Sequence, residues 1–195
     1  MLPIATVRNQ GIVSRFDNLA LETGVLLDKT YQAGVRLLRG SLLGQLASGK
    51  YRAYCEIDVS VAFNTANANF TLLVSSKVGQ GDLEIGDVIT SVGGLALGTV
   101  LTYNKVSGVG TLAANSANNL AGGQKVKISE AVLALGSKAG KILKDETYID
   151  ANLAADISAA GYFEGFFLQA NTTVTAAALT TLGGKTIESG EIRLV

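Results

Sequence analysis

Short apolar runs separated by glycine recur along most of the chain. Runs of four to eight residues rich in Val, Ile, Leu, Thr and Tyr lie between Gly34, Gly40, Gly44, Gly49, Gly79, Gly81, Gly86, Gly93, Gly98, Gly108, Gly122 and Gly136. Strands of that length, punctuated by residues that tolerate positive φ, are the pattern of an antiparallel barrel or sandwich. Val35 to Leu43 is almost continuously apolar, which predicts one strand buried on both sides. Ser48-Gly49 predicts a turn, and from Lys50 onward Tyr51, Ala53, Cys55 and Ile57 alternate with Arg52, Tyr54, Glu56 and Asp58. That period of two predicts a strand with one face inward and one outward.

Further along, "LEIGDVITSV" (83–92) and "LAGGQKVKIS" (120–129) share the form Leu-x-x-Gly followed by an alternating strand, and "GTVLTYNKVSGVGTL" (98–112) reads as a hairpin. Helix signals are sparse. "TAAALTTLGG" (175–184) predicts a short helix capped by Thr173 or Thr175 and ended by Gly183, while "DANLAADISAA" (150–160) spaces Ile149, Leu153 and Ile157 at helical intervals.

Charge divides the chain. Residues 57–129 hold four Lys and four Asp or Glu, whereas all six arginines lie outside that stretch. The low charge and the internal strand-turn pattern predict a small β-subdomain, 57–129, inserted into a main domain made of 1–56 and 130–195. The fold class expected is mainly β: a small antiparallel barrel or sandwich with an inserted β-subdomain and one or two short helices.

Composition then narrows the chemistry. There is no His and no Trp, and Lys plus Arg balance Asp plus Glu at 16 each. Without His, Ser-His-Asp, Cys-His and His-zinc sites cannot form within the chain. Neutral balance gives no field to recruit nucleic acid. No P-loop is present, and no G-x-G-x-x-G follows a strand. Mean hydropathy is +0.33, yet no apolar run approaches the roughly 18 residues a spanning helix needs. "MLPIATVRNQ" lacks the basic and apolar regions of a secretory signal. Cys55 stands alone, so it packs as a small apolar group and fits a reduced compartment of synthesis.

Three clusters invite a functional reading. Asp145-Glu146 is the only adjacent carboxylate pair, but adjacent strand positions face opposite ways and a solvated turn is the better reading. Asp82, Glu84 and Asp87 lack the dense oxygen spacing of a calcium loop. Lys138, Lys141 and Lys144 have no interleaved aromatics, and read as a solvated edge whose lysines block strand addition. No catalytic, cofactor or metal residue emerges.

Four stretches carry a resemblance: "GVRLLRGSLLGQLASGKYRAYC" (34–55), "AVLALGSKAGKILKDETYID" (131–150), "YFEGFFLQANTT" (162–173) and "SGEIRLV" (189–195). Together they resemble the lambda-type bacteriophage head decoration protein family. In that family a strand with a Gly-x-x-Leu-Gly element leads to a turn like "TGKY", followed later by a "GIL"-like strand, an aromatic "G-x-F" strand and a terminal Gly-x-Ile strand. Arg39–Gly44, Ser48–Tyr51, Gly140–Leu143, Tyr162–Phe167 and Gly190–Leu194 fill those places. The 57–129 insert stands where the family has a short loop, and the leading arm is long.

The resemblance implies a non-enzymatic, homotrimeric cement protein, made in the bacterial host cytoplasm, that sits on the outer surface of the virion. There it binds the major capsid protein at three-fold positions of the expanded head, with no cofactor and no membrane or nucleic-acid partner. The alternatives are another virion structural β-protein, such as a tail-tube or fibre domain, or a glycan- or host-surface-binding module. The leading segment "LPIATVRNQGIV" presents Leu2, Ile4, Val7, Ile12 and Val13 without a turn signal before Gly11, and Pro3 disfavours an early helix. An apolar extended terminus of this kind is a candidate for strand addition to the capsid.

Overall fold

The structure is a computed structural model that describes residues 21–32, 34–78, 81–135, 140–152, 155–167 and 192–194. It is mainly β, and it divides into two compact units: Met1–Ala53 with Ala134–Val195, and Tyr54–Leu133.

In the first unit the chain runs β1 (Leu21–Leu27), a four-residue helix α1 (Lys29–Gln32), β2 (Arg36–Leu37), β3 (Leu42–Leu46) and β4 (Tyr51–Ala53). The second unit holds β5 (Glu56–Val61), β6 (Asn69–Val78), β7 (Val88–Ser91), β8 (Ala96–Tyr103), β9 (Val109–Leu112) and β10 (Lys125–Ile128). After β11 (Leu133–Ala134), the chain completes the first unit with β12 (Lys141–Leu143), β13 (Thr147–Tyr148), β14 (Ile157–Phe167) and β15 (Ile192–Leu194).

Strand pairing in the first unit runs full circle. β14 pairs antiparallel with β1 from Leu21↔Glu164 to Leu27↔Ile157. β1 meets β4 in parallel at Leu27↔Tyr51, β4 pairs β3, β3 pairs β12, and β12 returns to β14. β15 extends β14 in parallel, and β2 with β13 forms a separate two-stranded sheet. Inside lies one apolar cluster: Val25, Leu27, Leu37, Leu43, Tyr51, Ala53, Leu143 and Ile149.

The β3–β4 hairpin forms where Ser48-Gly49 predicts it. Gly49 takes φ +82°, a conformation in which a Cβ would be strained, and this lets its N–H donate to Leu46 O at 2.8 Å.

The predicted single strand over Val35–Leu43 is not one strand. It breaks into β2 and β3 at a turn where Ser41 N donates to Leu38 O (3.1 Å) and Gly40 N to Leu143 O (2.9 Å). Leu37 on one side of Arg39-Gly40-Ser41, and Leu42 and Leu43 on the other, belong to strands of different sheets. The predicted outward face of the strand after Lys50 is also corrected: Arg52, Tyr54 and Glu56 are as buried as their neighbours. The pairing itself changes between Ala53 and Glu56, where β4 of one unit gives way to β5 of the other.

The second unit is a closed antiparallel barrel in the order β10-β5-β6-β9-β8-β7. The turns at 85–86 and 122–123 feed β7 and β10, and β8 and β9 form the hairpin. Side chains fill the small interior: Phe63 stacks on Phe70 (5.2 Å between ring centroids) and Phe70 on Tyr103 (6.1 Å). No helix among the described residues is long and apolar enough to cross a membrane.

Candidate functional site

The residues carrying the resemblance converge on the first unit. Arg39–Gly44 leads into β3, Ser48–Tyr51 makes the hairpin, Gly140–Leu143 enters β12, Tyr162–Phe167 is the second half of β14, and Gly190–Leu194 contains β15. Each of these strands pairs with another of the set: β3 with β4 and β12, β12 with β14, β14 with β15. The resembling stretches therefore supply neighbouring strands of one sheet, which β1, outside all four, closes into the circle. The candidate capsid-binding residues Leu2, Ile4, Val7, Ile12 and Val13, and the predicted helix over 175–184, lie outside the described residues. In the 150–160 stretch, Ile157 begins β14, so this part of the helical spacing is strand.

One end of that circle is tied by polar side chains that sequence reading did not single out. Lys50, entering β4, reaches Asp156 at 2.8 Å and Asp28 at 3.6 Å. Asp156 also accepts from Lys29 N (3.1 Å), and Asp28 caps α1 by accepting from Thr30 N (2.9 Å). The bond to Asp156 holds the Lys50 ammonium above its ordinary range, and the same bond holds the Asp156 carboxyl below its own. Gln32 is buried beside them and bonds Asp28 O, Tyr51 O and Ala53 N.

The lysine cluster is corrected by the structure. Lys141 lies not on a solvated edge but in β12, an inner strand between β3 and β14, with its ammonium 5.7 Å from the centroid of the Tyr51 ring. Burial lowers its pKa. Its long aliphatic stem makes such a place tolerable, a property the one-letter pattern does not reveal. Lys138 lies outside the described residues. Arg52 is buried too, with its guanidinium carbon 4.5 Å over the Tyr31 ring.

Of the acidic candidates, Glu146, Asp82, Glu84 and Asp87 have partners. Asp145 and Glu146 are exposed, and Glu146 pairs with Arg36. Asp82 pairs with Lys77 (2.7 Å), Glu84 with Lys105, and Asp87 accepts from Glu84 N at 2.7 Å. Among the described residues, no group of three or more His, Cys, Asp or Glu is placed to hold a metal. Cys55, the one cysteine of the chain, is buried.

Tyr54 donates to Glu56 Oε1 at 2.6 Å in a buried pair. Burial first, and the Glu56 carboxylate second, push the Tyr54 phenol far above its usual value near 10. The unfolded chain would ionise this phenol above pH 10 while the folded chain keeps it protonated. Stability is therefore complete below pH 10 and is lost as pH rises beyond it, at about 1.4 kcal/mol per pH unit for this one group. Urea unfolding between pH 9 and 11 checks this (the range in which an unperturbed phenol titrates). The Tyr54→Phe variant should show a distinctly flatter decline, and equal slopes would remove Tyr54 from the account.

Searches against protein-family models, curated proteins and solved structures find no match to this chain.

Proposed function

We propose that the chain is a bacteriophage capsid decoration protein: a structural, non-catalytic cement that trimerises and binds the major capsid protein on the outer surface of the expanded head at three-fold positions. The observation that carries this reading is the convergence of the four resembling stretches. They are separated in sequence by as much as residues 56–130, yet their strands pair with one another side by side in one sheet, which β1 closes into a circle. Chance similarity between short apolar words gives no reason for them to be neighbours. A cement protein needs a rigid body, a contact surface and no reaction centre, and the ion pairs and buried amide that tie this circle are of a rigidifying kind.

Part of the affinity is assigned to the leading arm. Leu2, Ile4, Val7, Ile12 and Val13 would be added as a strand to an edge on the capsid, where main-chain hydrogen bonds supply affinity and alternate side chains supply fit. Ordering about ten residues costs on the order of 10 kcal/mol of backbone entropy, so binding would order the arm rather than find it ordered. Deleting residues 2–10 is expected to leave the assembled protein stable while abolishing co-sedimentation with expanded heads. Full binding by the truncated protein would exclude the arm as the hook.

A further inference from the structure

The circle of strands in the first unit is not joined equally all the way round. β1 pairs with β14 along its whole length, from Leu21↔Glu164 to Leu27↔Ile157, and β3 pairs with β4 from Leu43↔Ala53 to Gln45↔Tyr51. Among the described residues, β1 and β4 meet at one residue pair only, Leu27↔Tyr51. Past that pair the chain leaves β1 for α1, and side chains carry the joint in place of a ladder. Gln32 bonds Tyr51 O and Ala53 N on β4, while Lys50 reaches across to Asp28 and Asp156.

The two carboxylates are held alike. Asp156 Oδ1 accepts from Lys29 N at 3.1 Å, and Asp28 Oδ1 accepts from Thr30 N at 2.9 Å. The second oxygen of each faces Lys50, at 2.8 Å for Asp156 Oδ2 and 3.6 Å for Asp28 Oδ2. These residues also mark three strand ends: Asp28 follows β1, Asp156 precedes β14, and Lys50 precedes β4. One ammonium therefore joins the β1–β14 pair to β4 where the ladder between them is shortest.

We infer that the β1–β4 junction is a seam that opens locally while the rest of the unit stays folded, and that Lys50 is its ionic latch. A joint made largely of side-chain bonds parts more readily than a continuous ladder, and local openings of this kind need less free energy than global unfolding. The Lys50 side chain is 34% exposed, so solvent ions reach the pair and the latch loosens as ionic strength rises. The β1–β14 ladder is built from bonds between neutral peptide groups, which salt screens far less. This inference is separate from the capsid-binding reading and does not depend on it.

Amide hydrogen exchange of the full chain, read residue by residue by NMR, tests it with two probes. Asp28 N–H donates to Tyr51 O at 2.9 Å, and Ala53 N–H donates to Gln32 Oε1 at 2.9 Å. In the wild type, raising sodium chloride from about 0.02 M to about 1 M should speed both probes about fivefold relative to the amides of the β1–β14 ladder. Lys50→Met, which keeps the aliphatic stem and removes the ammonium, should show the faster exchange already at low salt and gain no more from added salt. Lys125→Met removes the same charge from the second unit and should leave both probes at the wild-type rate. Probes that keep the wild-type rate in Lys50→Met, or that accelerate no more than the ladder amides, overturn the inference. Should circular dichroism show Lys50→Met unfolded, the wild-type salt series decides alone, and equal responses of probes and ladder overturn the inference. Binding to expanded heads enters none of these readouts, so failure of the capsid reading leaves this result standing.

Discussion

Gly108→Ala should destabilise the second unit by about 3–5 kcal/mol, combining the strain of a non-glycine residue at positive φ with overpacking of a closed wall. Gly108 takes φ +75°, and a Cβ there would lie 2.0 Å from Leu72 O and 3.1 Å from Val74 Cγ2. The Leu72 carbonyl cannot simply move aside, because Leu72 N donates to Gly108 O at 2.9 Å and fixes the two strands together. Two residues on, Gly110 meets the same limit from the interior: a Cβ would lie 2.4 Å from Phe70 Cζ and 2.5 Å from Thr102 O. Neither clash relaxes at the flexible end of a side chain alone, since each includes a backbone oxygen.

Against a typical total of about 5–15 kcal/mol, such a loss removes a large share of the stability. Gly123→Ala is the matched control. It has φ +80° but nothing within 4 Å of the added Cβ, so only the backbone strain, about 1–2 kcal/mol, applies. Urea unfolding followed by far-ultraviolet circular dichroism should separate the two substitutions by at least about 1 kcal/mol. Equal midpoints would mean that the close approach of β6 and β9 at Gly108 is wrong.

Gln32→Ala should cost the first unit about 2–4 kcal/mol. β1 and β4 pair at Leu27↔Tyr51, and Asp28 N donates to Tyr51 O at 2.9 Å. The chain then turns into α1, so β4 loses its neighbour. The Gln32 side chain takes that neighbour's place: its Oε1 accepts from Ala53 N at 2.9 Å, and its Nε2 donates to Tyr51 O at 3.3 Å and Asp28 O at 3.2 Å. A side-chain amide thus does the work of a peptide group. Removing it strands the buried N–H of Ala53 and leaves a void. Gln32→Glu keeps the acceptor but loses the donor and introduces a buried negative charge, so it should be no better than Gln32→Ala. Tyrosine near-ultraviolet dichroism through a urea titration measures both. A loss under about 1 kcal/mol for Gln32→Ala would show that water satisfies Ala53 equally well.

These two positions also mark the limit of what the sequence discloses. Local turn chemistry was legible: Ser48-Gly49, the Leu-x-x-Gly entries before β7 and β10, and the 98–112 hairpin all rest on contacts a few residues apart. The mainly β class followed from their repetition. Closure was not legible. The circle in the first unit depends on β14 meeting β1 130 or more residues away, as in Leu27↔Ile157, and no local pattern encodes that pairing.

Burial misled for the same reason. Arg52, Glu56 and Lys141 read as solvent-facing positions because hydropathy describes a side chain alone, whereas their burial depends on the Tyr31 ring, the Tyr54 hydroxyl and the strands beside β12. Gln32 carries no signal at all, since a glutamine in a four-residue helix looks like any surface residue.

The most direct test of the capsid reading is electron cryomicroscopy of expanded phage heads stripped of their decoration and incubated with the purified chain. The expected result is added density on the outer surface at the three-fold positions, three copies at each, into which the circle of strands built from β1, β3, β4, β12 and β14 fits. Bare three-fold positions at saturating protein, with the chain free in solution or attached to the tail instead, would contradict it.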